Sequence, residues 1–532
     1  MITIIHFTGK VWPALLCCAF VLSACAKVGP DFLRPPTVVL SKWLETDSDR
    51  LKGTSDYREW WKGFGDPALD RIIERAYNQN LSLRAAGVRV LEARAQLGIA
   101  VGELFPQSQQ ATGSVTFNRA SEKSPTVAAS LAGGSQQLSY WQDQIALGAT
   151  WEIDLWGKFR RAVEAADASL LSAIADYDSV LVSLTADAAS SYVQIRTLEK
   201  RLGIAQQNAE TQRESLRIAE TRYNGGVTSE RDVEQARTVL FNTLSTVPTL
   251  EAQLRQTKNA LSVLLGLPPD NLADFLEGAA DIPPPPPHVA VGIPADLLRR
   301  RPDVKSAELQ AAAQSARIGV AKAELYPAFS LTGSFGFLAS DVGAAKLGDI
   351  ASFGARTVAA GPAFQWNILN YGRITNNVRV QDARFQALLI AYQNAVLQAQ
   401  REVEDSLAGF LRSQESAEYL AQSAAAARRS LDLAFVQYSQ GSTDFTTVLT
   451  AQQALLTAQD SFATAVGNIS GNLVGVYRAL GGGWEIREGR ELVSPDVKAV
   501  MAARTNWGNL LSPASYMPRE AGERAALRRP DW

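Results

Sequence analysis

The stretch WEIDLWGK at 151–158 returns 215 residues later as WNILNYGR at 366–373. At the same spacing, SLRIAETRYNGGVTSERDVEQA (215–236) returns as SLDLAFVQYSQGSTDFTTVLTA (430–451). A third pair, QLGIAVGELFP (96–106) and RIGVAKAELYP (317–327), is offset by 221, so the segment before the tryptophan is six residues longer in the first copy. Constant spacing over such lengths marks a duplicated unit with its indel confined to a loop. Whatever the chain folds into is therefore built twice. The copies are joined by DIPPPPPHVAVGIP (281–294), a stiff extended linker.

Each copy has the same internal order. A helix runs to Phe105-Pro106 or Tyr326-Pro327, where proline removes the donor a helix would need. Strand-like stretches follow, near 107–119 and 142–154 in the first copy and 328–338 and 356–368 in the second. Ile145, Leu147, Ala149, Trp151 and Ile153 alternate with Ala146, Gly148, Thr150 and Glu152; Phe329, Leu331, Phe335 and Phe337 alternate with Ser330, Thr332, Ser334 and Gly336. Such a period of two fits half-buried strands, and equally transmembrane strands with lipid on one face and a lumen on the other. Then come Arg160–Tyr223 and Arg373–Gln440, free of proline and with one glycine each, Gly203 and Gly409. At 1.5 Å per residue each would span roughly 90–100 Å. Leu170, Ile174, Tyr177, Leu181 and Leu184, and their counterparts Phe385, Leu389, Tyr392, Val396 and Ala399, form heptad seams. The helices turn back at YNGG and YSQG into second helices ending near Leu264 and Leu480.

A soluble β-sandwich would share the alternation, and a filamentous coiled coil the seams; the filament would not carry hairpins at equivalent places. If the strands lie in a membrane, four cannot close a barrel, because single-chain barrels need at least eight and an open edge cannot face hydrocarbon. Several chains must then contribute. Three would give twelve strands, although this argument alone does not select three.

The N-terminus shows where such a chain is sent. Val11–Leu22 is apolar but too short to span a bilayer, and fits a signal-peptide core. Leu22-Ser23-Ala24-Cys25 resembles a lipoprotein lipobox, with Cys25 the acylated residue and Ala26 in the place where Asp favours inner-membrane retention. Cys17 and Cys18 leave with the leader, so no disulfide framework remains. The chain has 52 basic and 54 acidic residues, which excludes nucleic-acid binding by bulk charge. After cleavage His288, in the proline loop, is the last histidine, so neither a His/Cys zinc site nor a histidine triad can be built. Its many carboxylates read as solvated helix faces rather than a glycosidase pair, and no catalytic, cofactor or metal site is expected.

Together VGPDFLRPP (28–36), WWKGFGDPALDRII (60–73), ARAQLGIAVGELFPQ (93–107), RYNGGVTSERDVEQA (222–236), LLRRRPDVKSAE (297–308), IGVAKAELYPAFSLTGSFG (318–336) and RALGGGWE (478–485) resemble the TolC-like outer-membrane factors, in their NodT-type lipoprotein branch. The resemblance implies a mainly helical chain with membrane strands. Three copies would share a 12-stranded outer-membrane β-barrel continuous with a periplasmic helical tunnel. It implies a passive duct exporting drugs or other toxic solutes, with a periplasmic adaptor and an inner-membrane pump, of resistance-nodulation-division type, as partners. A type I protein-secretion factor and a structural coiled-coil lipoprotein are the alternatives. The chain divides into a signal peptide (1–24), an extended lipid-anchored segment (25–66), a first repeat (67–280), a linker (281–302), a second repeat (303–484) and a tail (485–532) that fits no motif and is expected to be partly disordered. Trp151 and Trp366 are expected at the periplasmic boundary of the barrel. The turns at Gly225-Gly226 and Gly441-Ser442 match the adaptor-docking tip. Asp232 and Tyr438 match a hydrogen-bonded pair that closes the tunnel there. Where the family often carries a base and then axial carboxylates, this chain has Thr443, Thr447 and Thr450, with Gln453 beyond and Asp444 the remaining acid. RRRPDV, at the start of the second repeat, is expected to pair with acids rather than bind a ligand.

Overall fold

The computed structural model describes residues 27–45, 51, 57–121, 137–277, 281–286 and 300–516. The leader, Cys25, His288 and the tail beyond 516 lie outside the described residues. The longer helices are α1 (Pro67–Gln79), α2 (Leu81–Gly102), α3 (Lys158–Asn224), α4 (Glu230–Leu264), α5 (Pro302–Ala323), α6 (Arg373–Ser439), α7 (Phe445–Ala479) and α8 (Pro495–Arg504). The duplication is met to the residue: α3 and α6 have 67 residues each, α4 and α7 have 35, α2 and α5 have 22.

Strands β1 (Ser108–Arg119), β2 (Ser139–Ile153), β3 (Ala328–Ser340) and β4 (Arg356–Gln365) form one antiparallel sheet in chain order. Phe117 faces Trp141, Leu147 faces Phe335, and Phe329 faces Phe364, so the apolar residues share one side. That side is open: Ile145, Leu147, Val358 and Phe364 are 59 to 71 % exposed. A sandwich would bury them against a second sheet, so the sandwich alternative falls. Asp143, near the loop end of β2, breaks the pattern opposite Val115 and Ala339.

β4 ends at Gln365, short of the expected 368, because the chain turns where Trp366 docks. Trp366 donates its indole N–H to Leu325 O at 3.0 Å, and Trp151 donates to Leu104 O at 3.1 Å. Both carbonyls lie just past the ends of α5 and α2, so each ring sits at the junction of sheet and helices. Gly157 and Gly372, at φ 78° and 82°, then turn the chain into α3 and α6. Left-handed backbone is routine only for glycine.

Residues 27–45 run outside the helices as a strap. Val28 N–H donates to Trp156 O at 3.0 Å beside the sheet. The Arg161 side chain, 1 % exposed, donates to the carbonyls of Val28 and Gly29 and pairs with Asp31 and Glu164. Gly29 crosses Gly319 so closely that a Cβ on Gly29 would lie 2.4 Å from Gly319 Cα. Arg34 pairs with Glu308 on α5. On α6 the Gln400 amide accepts from Leu40 N–H at 2.9 Å and donates to Val38 O at 3.0 Å, standing in for a neighbouring strand. Near the end of the strap Trp43 is fully buried.

A core halfway down the helices is closed by elements flanking both repeats. Asp66 caps α1 through Ala68 N–H and also accepts from Tyr192 O–H at 2.6 Å. Trp60 stacks on Tyr477 with ring centroids 5.0 Å apart. Arg301 of RRRPDV is held by Asp303, Glu402 and the carbonyl of Ala479. Burial pulls the pKa of its guanidinium down, but the bonds to Asp303 and Glu402 together outweigh it and hold it above the ordinary value. The tail is packed as far as Tyr516, and the expectation of partial disorder falls on the residues beyond it, which lie outside the described residues. Arg487 forms a two-point ion pair with Asp178, both side chains 8 % exposed, and Arg94 donates to Ser515 O at 2.7 Å. Breaking one half of a buried pair strands the other charge, at roughly 3–5 kcal/mol. Arg487→Met should therefore lower the thermal unfolding midpoint followed by circular dichroism, and adding Asp178→Asn should recover much of the loss.

Candidate functional site

At the far end from the sheet, α3 and α6 each stop in the same backbone motif. Gly226 and Gly441 lie at φ 71° and 73°. Val227 N–H reaches back to Arg222 O, and Ser442 N–H to Gln437 O, both at 2.9 Å. These six-residue closures satisfy the last carbonyls of each helix and require left-handed backbone at the glycine. An added Cβ on Gly226 or Gly441 would meet nothing within 4 Å, and Gly225 and Ser442 are exposed beside them. Both turns are thus open surface.

The two turns differ in chemistry. The first is laced with ion pairs: Arg217 with Glu214, and Arg237 with both Glu234 and Glu220. The second is built of hydroxyls. Ser442 Oγ donates to Gln437 O at 2.9 Å, Thr443 to Thr447 at 3.0 Å, and Thr447 Oγ1 to Asp444 at 2.7 Å. Asp444 is the N-cap of α7, also accepting from Thr447 N–H at 3.0 Å. The Thr447 hydroxyl, then its N–H, hold the Asp444 carboxyl below the usual carboxylate range. A depressed acid stabilises fully above its unfolded value, about 3.9, and loses that stabilisation as pH falls through the lower folded value. Below the turns, Val233, Ala236 and Val239 pack with Leu431, Ala434, Phe445, Val448 and Leu449. Thr447, Thr450 and Gln453 share the exposed face of α7.

Asp232 and Tyr438 do not meet within the chain. Asp232 lies in the first turn of α4, where its carboxylate folds back to accept from Thr228 and lies 3.5 Å from Arg231. The Tyr438 ring instead packs on Phe445, centroids 5.1 Å apart, with the Arg222 guanidinium 4.6 Å from its face. Arg222, in the last turn of α3, is the residue that sequence reasoning missed. Its only sequence signal was a base placed just before the glycine turn. Among the described residues no group of three His, Cys, Asp or Glu side chains is placed to hold a metal ion.

The model of the outer membrane efflux protein family matches residues 72–267 and 293–482, the two repeats. This chain belongs to that family. Among its relatives, nodulation protein T of Rhizobium leguminosarum bv. viciae is 30 % identical over 92 % of this chain and 97 % of that one. The pyoverdine export outer membrane protein OpmQ of Pseudomonas putida is 31 % identical over 85 % of this chain and 94 % of that one. The solved outer-membrane channel OprN superposes with a TM-score of 0.80 at 32 % identity, covering 86 % of this chain and 99 % of that one. The CmeC channel of Campylobacter jejuni, at 22 % identity, shares the fold with a TM-score of 0.76. The efflux protein is therefore an outer-membrane channel reaching into the periplasm, and its open apolar sheet face is the membrane face. None of its helices, among the described residues, is long and apolar enough to cross a membrane.

An exposed cation–π contact supplies about 0.5–1 kcal/mol. On the expectation that these turns close the tunnel, Arg222→Ala should raise the open-state population, read as single-channel conductance events, by about two- to fivefold. Millimolar divalent cations should block the wild-type pore only weakly; micromolar block would show a carboxylate ring that these threonines do not provide.

Proposed function

We propose that three copies of this chain form the passive outer-membrane duct of a tripartite efflux assembly, anchored by acylated Cys25. A periplasmic adaptor meets it at the Gly225-Gly226 and Gly441-Ser442 turns, and an inner-membrane pump of the resistance-nodulation-division type feeds it. One observation carries this reading: a four-stranded sheet with an outward apolar face and two free edges stands on 67-residue helices. Such a sheet is too small to close alone. Two further copies complete it, and their helices continue its wall as a tunnel.

The duct holds no energy source and performs no chemistry in this reading. Its relatives include a pyoverdine exporter and toluene efflux proteins, cargoes with little in common. That variety fits cargo selection by pump and adaptor rather than by a wide polar tunnel. The strap supports the anchor, since its first described residues are tied beside Trp156 at the membrane boundary, three residues after Cys25.

The purified protein should form pores in planar bilayers and migrate as a heat-labile trimer; a lipoprotein that only bridges envelope layers would form none. Cys25→Ser should abolish palmitate labelling while the trimer persists, and retained labelling would contradict the anchor. Gly226→Trp and Gly441→Trp should each raise the drug sensitivity of cells that depend on this duct, without loss of trimer. Gly226→Asn and Gly441→Asn, which tolerate left-handed backbone, should remain close to wild type. Unchanged tolerance in both tryptophan variants would count against docking at the turns.

A further inference from the structure

The four strands carry two cationic side chains in all, Arg119 at the loop end of β1 and Arg356 at the loop end of β4. Both lie on the membrane side. Arg119 continues the row of Val115 and Phe117, while Arg356 faces Phe337 and stands two residues before Val358. The lumen side was one residue away in each strand, at Asn118 and Thr357, which face Tyr140 and Gly336. A cation facing a water-filled lumen costs little, whereas one facing lipid is costly at mid-depth and close to neutral only at the interface. Two guanidiniums on the lipid side therefore belong at an interface, where something must meet them.

That interface is the outer one. The helices reach into the periplasm, so the strand ends away from them open toward the cell exterior. Phe117 and Trp141, 55 and 45 % exposed with ring centroids 5.3 Å apart, lie one step below Arg119 on the same side, as aromatic rings do at the edge of hydrocarbon. Among the described residues no carboxylate pairs with either arginine. Asp143, the one acid of the strands on this side, is half-buried between Val115 and Ala339 and reaches neither. The Arg356 guanidinium lies on the exposed ring of Phe353, 3.6 Å from its centroid. Such a stack fixes the plane of a guanidinium and leaves its N–H edge open to a two-point bond.

We propose that Arg119 and Arg356 hold phosphate groups of the outer-leaflet glycolipid, lipid A. A guanidinium matches phosphate geometry with two parallel N–H donors, and its charge meets the opposite charge of the headgroup. Below each arginine the same side of the sheet is apolar, through Phe117 and Val115 on β1 and Val358 on β4, a wall for the acyl chains of the lipid whose phosphate is held. Free inorganic phosphate would find the same donors but has nothing to lay on that wall, so the lipid is the source the surface fits. β1 and β4 are three strand spacings apart, at least about 14 Å, and within one chain the two arginines take separate phosphate groups.

Native mass spectrometry of the purified full-length protein with added lipid A reads the contact. One arginine at a charged membrane surface contributes about fivefold in affinity, so Arg119→Gln with Arg356→Gln should weaken lipid A binding roughly twenty- to thirtyfold. Both side chains are exposed at strand ends, and circular dichroism of this variant should match wild type. Arg119→Lys with Arg356→Lys keeps the charge without the two-point donor and should bind at an intermediate strength. Lipid A stripped of its phosphates should bind wild type as weakly as intact lipid A binds the glutamine variant. Arg428→Gln with Arg429→Gln, exposed on α6 away from the sheet, should bind lipid A as wild type does. Unchanged lipid A affinity in the strand variant would overturn the site, and so would equal binding of the stripped lipid. An equal loss in the α6 variant would assign the binding to bulk charge and overturn it too. Displacement of lipid A from wild type by millimolar inorganic phosphate alone would overturn the lipid as the source.

Discussion

A backbone N–H or C=O left without a partner in hydrocarbon costs several kcal/mol, and a free strand edge carries a row of them. In this chain two such edges, on β1 and β4, flank a sheet whose one face is apolar and open. The rest of the structure answers that constraint. In the proposed assembly the sheet continues into other copies, and the helices that hang from each strand pair continue around the same axis. Gly157 and Gly372 pass the chain from sheet to helix at equivalent corners, so the two halves of each protomer enter the tunnel wall in the same way.

The duplication makes the two halves alike in backbone but not in chemistry. Equal helix lengths and the same glycine closure set both turns at one level. The first turn is then covered with salt-paired arginines and glutamates, the second with threonines and serines. One chain thus carries two turns of the same backbone shape, one sensitive to ionic strength and one not. The strap adds a second asymmetry. It ties α3, α5 and α6 together through Arg161, Gly319 and Gln400, gripping both repeats from outside.

Much of this was legible in the sequence because periodicity and repetition are geometric signals. Four strands, two helix pairs and their turns followed from alternation, heptads and a fixed offset, and the ends of α4 and α7 fell where expected. What stayed hidden was set by contacts distant in sequence. β4 stops early because Trp366 is captured by the carbonyl of Leu325, a bond no local pattern announces. The tail looked featureless because Arg487 pairs with Asp178, 309 residues away, and has no periodicity of its own. At the turns the resemblance pointed to Asp232 and Tyr438. Within the chain, Thr228 captures the acid and Arg222 covers the ring.

Whether the sheet closes is open to direct measurement by amide hydrogen exchange in lipid nanodiscs. If copies pair edge to edge, the outer-edge amides of β1 and β4 will exchange as slowly as those shared by β2 and β3. Edge amides that exchange within seconds while β2 and β3 stay protected would mean an open sheet, and would contradict a barrel completed by other copies.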